Sequence, residues 1–127
     1  MAMKFARIVF WIAGAFGVLI LAPLYFMFDL VGRQDPPPIT HPEFYYGFVG
    51  VTLVWQLVYM LIATNPGRYR PVMLLAALAK GSYATTLLVL YLQSRIKGSQ
   101  AATGLPDTFL AILFLIAYAR TRRTGYM

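Results

Sequence analysis

The sequence predicts an all-α membrane protein in which a single domain, residues 1–127, forms an antiparallel up-down bundle of four transmembrane helices. Of the 127 residues, 60% are hydrophobic and only 12% are charged, and the mean hydropathy is +0.66. A soluble domain carries about 25% charged residues. The apolar residues also fall into four long stretches, and most basic residues lie at the ends of these stretches, as membrane topology signals do.

The first span is predicted over residues 6–28. A basic N-terminal segment precedes an uninterrupted apolar run from Ile8 to Phe28, which is longer than the hydrophobic region of a signal peptide and ends in bulky residues unsuited to a cleavage site. Gly14 and Gly17 offer a face on which another helix can approach closely.

The first loop, residues 29–42, is predicted to be stiff. Three consecutive prolines hold such a segment extended as polyproline II. The second span, residues 43–64, then begins with Pro42 and Glu43. Proline lacks a backbone N–H, and in the first turn of a helix that group would have no hydrogen-bond partner within the helix. The Glu43 carboxylate is stabilised by the positive end of the helix dipole.

The second loop is predicted to be a tight turn at Asn65-Pro66-Gly67. Because this connection is so short, the second span and the third, residues 71–93, are predicted to be adjacent antiparallel helices. A flexible polar loop, residues 94–104, is expected before the fourth span, residues 106–123. That last apolar stretch is short, so its terminal arginines must reach the interface.

The distribution of basic residues predicts the orientation of the spans. Seven lysines and arginines fall in the N-terminal segment, the second loop and the C-terminal segment, against three in the first and third loops. The positive-inside rule therefore predicts a multi-pass protein of the bacterial plasma (inner) membrane with both termini in the cytoplasm. The four acidic residues and His41 are then expected at the outer face.

An ionisable side chain in the middle of the third span is the main candidate for a functional site. Lys80 follows Pro71 by nine residues, which puts it ~14 Å inside a hydrocarbon layer of ~30 Å. A charge at that depth costs roughly 2.5–3.5 kcal/mol on insertion scales and is by default a functional-site hypothesis.

Polar side chains on nearby helix faces are expected to shelter this lysine. Thr52, Gln56 and Tyr59 recur at helical spacing in the second span, and Tyr83 shares a helix face with Lys80. The sequence therefore predicts an intramembrane polar pocket whose ligand-binding residues are Lys80, Gln56, Tyr59, Tyr83 and Thr52.

Two interpretations of this pocket stay open. In the first, it binds an anion, a carbonyl-bearing lipid or a quinone-like head group, so that a bound lipid or quinone is the one cofactor considered. In the second, Lys80 belongs to a hydrogen-bonded network that fixes the helix register, or it pairs with an acid on another subunit. The cost of burying the lysine gives the first interpretation weight.

A second polar cluster is expected at the outer face. Carboxylates beside an imidazole are able to exchange protons or bind a divalent cation, but metal-ligand spacing on one helix is missing, and no metal site is predicted. The absence of cysteine excludes disulfides and thiol catalysis, and the sequence contains no nucleotide-binding loop. The residues of this cluster are Asp29, His41, Glu43 and Asp107.

Several short motifs resemble those of a group of small uncharacterised bacterial inner-membrane proteins with four spans. These motifs are residues 41–48, Trp55-Gln56, Asn65-Pro66 and residues 68–71. The architecture, with a tight basic turn between the second and third spans, is similar to that of DoxX-like proteins. This resemblance implies association with redox or quinone partners, and it implies no catalytic residue.

The leading functional prediction is a non-catalytic membrane protein that binds a lipid-like or small ligand beside Lys80, or that serves as an accessory subunit. One alternative is an oligomeric proton-coupled small transporter or channel. Another is a membrane enzyme that acts on lipid through the outer-face acids and His41. The expected partners are membrane lipids and a second copy or a partner subunit in the membrane, and no nucleic acid, since the basic residues lie at helix ends.

Overall fold

The computed structural model describes residues 2–34 and 39–121, which are mostly helical, with no β-strand among them. The helices, in chain order, are α1 (Ala2–Leu21), α2 (Phe28–Gln34), α3 (Pro42–Thr64), α4 (Arg70–Leu92), α5 (Gly98–Ala101) and α6 (Leu105–Thr121). Two short 3-10 helices, Ala22–Phe26 and Ala102–Gly104, extend the end of α1 and join α5 to α6.

Four helical segments are long and apolar enough to cross a membrane: Met3–Phe26, Pro42–Thr64, Arg70–Leu92 and Gly98–Thr121. The predicted all-α chain with four candidate spans is therefore confirmed. As the start chemistry predicts, α3 and α4 each carry a proline in the first turn. Residues 122–123, the predicted end of the fourth span, lie outside the described residues.

The predicted stiff loop 29–42 is wrong over its first part, because residues up to Gln34 belong to α2. This helix has an acid in its first turn and an arginine in its last, which favour the two ends of the helix dipole. The Phe28 ring packs against Tyr45 and Tyr46 of α3, with centroids 5.1 and 5.4 Å away. The three consecutive prolines lie outside the described residues.

The predicted flexible loop 94–104 is helical from residue 98 onward. Gln100 Oε1 accepts a hydrogen bond of 2.9 Å from the backbone N–H three residues before it, and so satisfies a donor at the start of α5. The following 3-10 helix leads into α6, so the fourth candidate span is Gly98–Thr121, whereas the sequence predicts residues 106–123. Asp107 lies nine residues after the start of this candidate span.

The four long helices pack as two pairs, and a contact between one helix of each pair joins them. α1 packs along α3, α4 packs along α6, and α1 also contacts α6. α3 and α4, which are predicted to be adjacent because their connection is short, do contact each other but make far fewer close contacts than either of these pairs. The seam between α3 and α4 is therefore the loosest of the bundle.

Two arginines join the ends of paired helices. Arg7 of α1 donates a hydrogen bond of 3.1 Å to the carbonyl of Thr64 at the end of α3. Arg70 of α4 donates one of 3.0 Å to the carbonyl of Tyr118 in α6, and its guanidinium lies 3.6 Å from the centroid of the Tyr118 ring. The Thr64 carbonyl is at the last residue of α3, where helix carbonyls lack an intrahelical donor, and the Tyr118 carbonyl also accepts a hydrogen bond of 3.3 Å from the Thr121 hydroxyl.

An aromatic cluster fills the point where three helices meet. The rings of Phe10 (α1) and Phe114 (α6) stack with centroids 4.3 Å apart, and Tyr59 (α3) meets Phe114 edge-on at 5.0 Å. Buried alanines surround these rings and let the helices approach closely. Most other apolar side chains are exposed, as expected for helices that face lipid.

Two glycines of α1 allow α3 to come close. A Cβ added at Gly14 would lie 2.8 Å from the backbone oxygen of Gln56 and 2.6 Å from Met60 Cγ. A Cβ at Gly17 would overlap the side-chain amide of Gln56. The predicted close-approach face is therefore the contact between α1 and α3.

We expect Gly14→Ala to destabilise the bundle by about 1–3 kcal/mol, because the backbone carbonyl of Gln56 cannot move without displacing α3. The matched control is Gly81→Ala on α4, since a Cβ there would meet nothing within 4 Å among the described residues. Alanine favours helix over glycine by up to about 1 kcal/mol, so the control should be neutral or stabilising. Thermal unfolding in mild detergent measures both, and equal unfolding temperatures would contradict the close approach of α1 and α3.

Candidate functional site

An ion pair within the bundle links α4 to α6. Lys80 Nζ lies 3.1 Å from Asp107 Oδ1, and the two side chains are only 11% and 23% exposed. Nζ also lies 5.5 Å from the centroid of the Tyr59 ring, within the range of a cation–π contact. The acid that compensates the intramembrane lysine is thus on the same chain, and not on another subunit.

The register between α4 and α6 is fixed on both sides of this pair. On one side, Arg70 binds the Tyr118 carbonyl. On the other side, Gly104 sits against α4 so closely that a Cβ there would lie 3.1 Å from Leu87 and 3.5 Å from Ala84. These contacts hold Lys80 opposite Asp107.

A cavity of about 700 Å³ lies beside the ion pair. Its wall is mostly apolar, with contributions from α1, α3, α4, α6 and the 3-10 helix before α6. All five predicted ligand-binding residues line it: Thr52, Gln56, Tyr59, Lys80 and Tyr83. Asp107 lines it as well.

Gln56 is placed differently from its predicted role. The sequence predicts that the Gln56 side chain shelters Lys80, but this side chain lies against Gly17 of α1. Its amide nitrogen donates to the Thr52 carbonyl at 2.9 Å, and its buried Oε1 has no hydrogen-bond partner within the described part of the chain. Lys80 is neutralised by a carboxylate, which compensates an ammonium better than a neutral amide.

The two tyrosines take different positions around the cavity. Tyr59 is only 2% exposed, and its ring lies between Lys80 and the aromatic cluster. Its hydroxyl forms no hydrogen bond with any of residues 2–34 and 39–121. Tyr83 of α4 stacks on Phe48 of α3 at 5.7 Å, so this ring pair bridges the loose seam between the two helices.

The predicted outer-face cluster is only partly assembled. His41 Nδ1 lies 3.5 Å from Glu43 Oε2, and both side chains are largely exposed, as is Asp29 at the start of α2. Asp107 does not belong to this cluster, because it faces Lys80. In the described ranges, no three histidine or acidic side chains come together in a group that could hold a metal ion.

Asp107 is the candidate site residue that the sequence prediction placed away from Lys80, with which it pairs in the structure. Its assignment to the outer face followed from treating residues 94–104 as a loop. Two signals pointed the other way: Gln100, Ala101 and Ala102 are good helix formers, and an intramembrane lysine requires an acid.

Comparisons with known proteins add no relative. No family model, no curated protein sequence and no solved structure matches this chain.

We expect Lys80→Met and Asp107→Leu to lower the free energy of unfolding by about 1–3 kcal/mol each, because each leaves an unpaired charge in the bundle. The double variant should recover most of that loss, since two apolar side chains leave no charge behind. Thermal unfolding of the four proteins forms a double-mutant cycle, with Lys97→Met and Asp29→Leu as exposed controls. Additive losses at positions 80 and 107 would show that the two side chains do not interact.

Proposed function

We propose that this chain is a non-catalytic membrane protein that binds a lipid-like or small amphiphilic ligand in the cavity beside Lys80 and Asp107. A volume of about 700 Å³ falls within the 300–1,000 Å³ typical of ligand sites. The wall has the composition of such sites too, with a largely apolar surface and a few polar groups that converge on one region.

The observation that supports this proposal most is that the ion pair faces the cavity. A pair that only fixed helix register would be sealed by packing, and apolar residues would replace it at little or no loss of stability. Lys80 and Asp107 instead form part of the cavity wall, where a ligand head group is able to reach them. Ionisable groups inside membrane spans most often serve such a purpose.

Contacts at the helix ends support the proposed topology. Arg7 near the start of α1 meets the end of α3, and Arg70 at the start of α4 meets the end of α6. Together with the short connection between α3 and α4, these contacts support a bundle in which consecutive spans alternate in direction, as an antiparallel up-down arrangement. By the positive-inside rule, we place the end that carries these arginines, with both termini, in the cytoplasm of a bacterial inner membrane. The cavity then lies in the outer half.

An oligomeric proton-coupled transporter is the second candidate. It is favoured by one observation, that two titratable side chains of opposite charge line an open cavity. Such a pathway would need several symmetric copies, so native mass spectrometry that detects only monomers would count against it. We do not propose a lipid enzyme, because His41 and Glu43 lie apart from the cavity that Asp107 lines.

A role as an accessory subunit, with redox or quinone partners as the DoxX-like resemblance implies, is compatible with the same cavity. In that case the ligand would be shared with, or delivered to, a partner protein in the membrane.

We expect the wild-type chain, extracted in mild detergent, to retain an amphiphile that native mass spectrometry detects. Occupancy should fall about tenfold or more in Lys80→Met/Asp107→Leu, because hydrogen bonds to charged groups contribute about 1.5–3 kcal/mol. The matched control is Lys97→Met/Asp29→Leu, which removes the same two charge types at exposed positions. A double variant that folds and keeps full occupancy would overturn the proposed function.

A further inference from the structure

We infer that the ligand of this cavity is an uncharged amphiphile whose head group carries a hydroxyl or carbonyl and lies between the Tyr59 hydroxyl and the Lys80–Asp107 pair. This inference rests on the proposed function and specifies the class of ligand that the same site binds.

The charge of the cavity argues for an uncharged head group. Lys80 and Asp107 are the only charged residues among those that line it within the described ranges, and they neutralise each other at 3.1 Å. An anionic head group would have to displace the carboxylate from the ammonium, and a cationic one would have to displace the ammonium. Either exchange leaves a charge unpaired at low dielectric, whereas an uncharged group hydrogen-bonds to the intact pair.

The Tyr59 hydroxyl argues for a head group that hydrogen-bonds. The side chain is 2% exposed and lines the cavity, but its hydroxyl has no partner in the part of the chain that the structure describes. Among the described residues, Gln56 Oε1 is the one fully buried side-chain polar atom without a partner, so the Tyr59 hydroxyl is not sealed and keeps access to the cavity that its side chain lines. A carbonyl or hydroxyl of the ligand would supply the hydrogen bond that this hydroxyl does not make within the chain.

The rings around Tyr59 hold this hydroxyl in place. Phe114 meets the Tyr59 ring edge-on, with the ring centroids 5.0 Å apart. The centroids of Phe10 and Trp55 lie 6.3 and 6.2 Å from that of Tyr59. A hydroxyl on a ring fixed by three neighbours needs little reordering when a ligand binds, and so contributes more to affinity than a mobile group does.

The remainder of the wall suits an apolar tail. Phe16 and Ile20 of α1, Phe48 of α3 and Leu110 of α6 line the cavity, and the first three of these are also exposed at the protein surface. A chain that starts at the ion pair can therefore continue along aromatic and aliphatic side chains into surrounding lipid.

The chain has a built-in reporter for this test. It contains two tryptophans, and Trp55 lines the cavity whereas Trp11 does not line it and is exposed. In the Trp11→Phe background, quenching by brominated lipid reports cavity occupancy through Trp55. In the Trp55→Phe background, Trp11 reports contact with bulk lipid and serves as the reference.

The probes are dioleoylglycerol and dioleoyl phosphatidic acid, both with brominated chains, titrated into phosphatidylcholine nanodiscs. These lipids have the same tails, and only the second has an anionic head group. We expect dioleoylglycerol to quench Trp55 saturably, at a concentration at least fivefold lower than phosphatidic acid requires, while Trp11 shows only the proportional response of bulk lipid. Unbrominated dioleoylglycerol and a long-chain isoprenoid alcohol are then added separately as competitors. The one that relieves Trp55 quenching at the lower concentration shows which type of apolar tail the cavity prefers.

The outcomes separate this inference from the function on which it rests. Phosphatidic acid that quenches Trp55 as well as dioleoylglycerol, or better, would overturn the uncharged head group and leave the proposed function standing. Trp55 quenching by neither lipid beyond the Trp11 reference would overturn both.

Tyr59→Phe tests the hydroxyl, since it keeps the ring. We expect it to weaken dioleoylglycerol binding two- to tenfold, the range for one lost hydrogen bond. The control is Tyr118→Phe, whose ring stacks on Arg70 away from the cavity and which should leave binding unchanged. Unchanged affinity in Tyr59→Phe would contradict the placement of the head group at this hydroxyl.

Discussion

The Lys80–Asp107 ion pair is the interaction on which the rest of the structure depends, because each charge alone would be costly within a bundle of apolar helices. It brings together two residues that lie well inside their candidate spans, and so it sets which stretch of α6 faces α4. The Arg70–Tyr118 contact on one side and the close approach at Gly104 on the other agree with the same register.

The bundle is packed unevenly, and the cavity results from that unevenness. α1 holds α3 closely through glycine and also contacts α6, while Phe10, Tyr59 and Phe114 fill the place where these three helices meet. No comparable set of contacts joins α3 to α4 among the described residues, and the ion pair borders the space left between them. A charged pair that would otherwise be sealed is thereby accessible to a ligand.

Most of the helices could be predicted from the sequence, but their pairing could not. Four apolar stretches, proline starts and the Asn65-Pro66-Gly67 turn locate the spans, because these signals are local. Apolar side chains cover most of the surface of these helices, so hydropathy does not indicate which ones pack together. Lys80 could be predicted as a site residue because burial of its charge is costly whichever residue it pairs with. Asp107 was assigned to the outer face because the helical state of residues 98–104 is hard to recognise among glycine, serine and threonine.

A measured distance between the two charges in a lipid bilayer tests this account most directly. The chain is labelled with ¹⁵N at lysine Nζ and ¹³C at aspartate Cγ, and solid-state NMR records the dipolar coupling, with Asp107→Asn and Lys80→Met to assign the signal. A strong coupling consistent with an N–O separation of about 3 Å, lost in both variants, is the result that the structure predicts. The absence of a coupling assignable to Lys80 and Asp107 in the folded wild-type chain would contradict it.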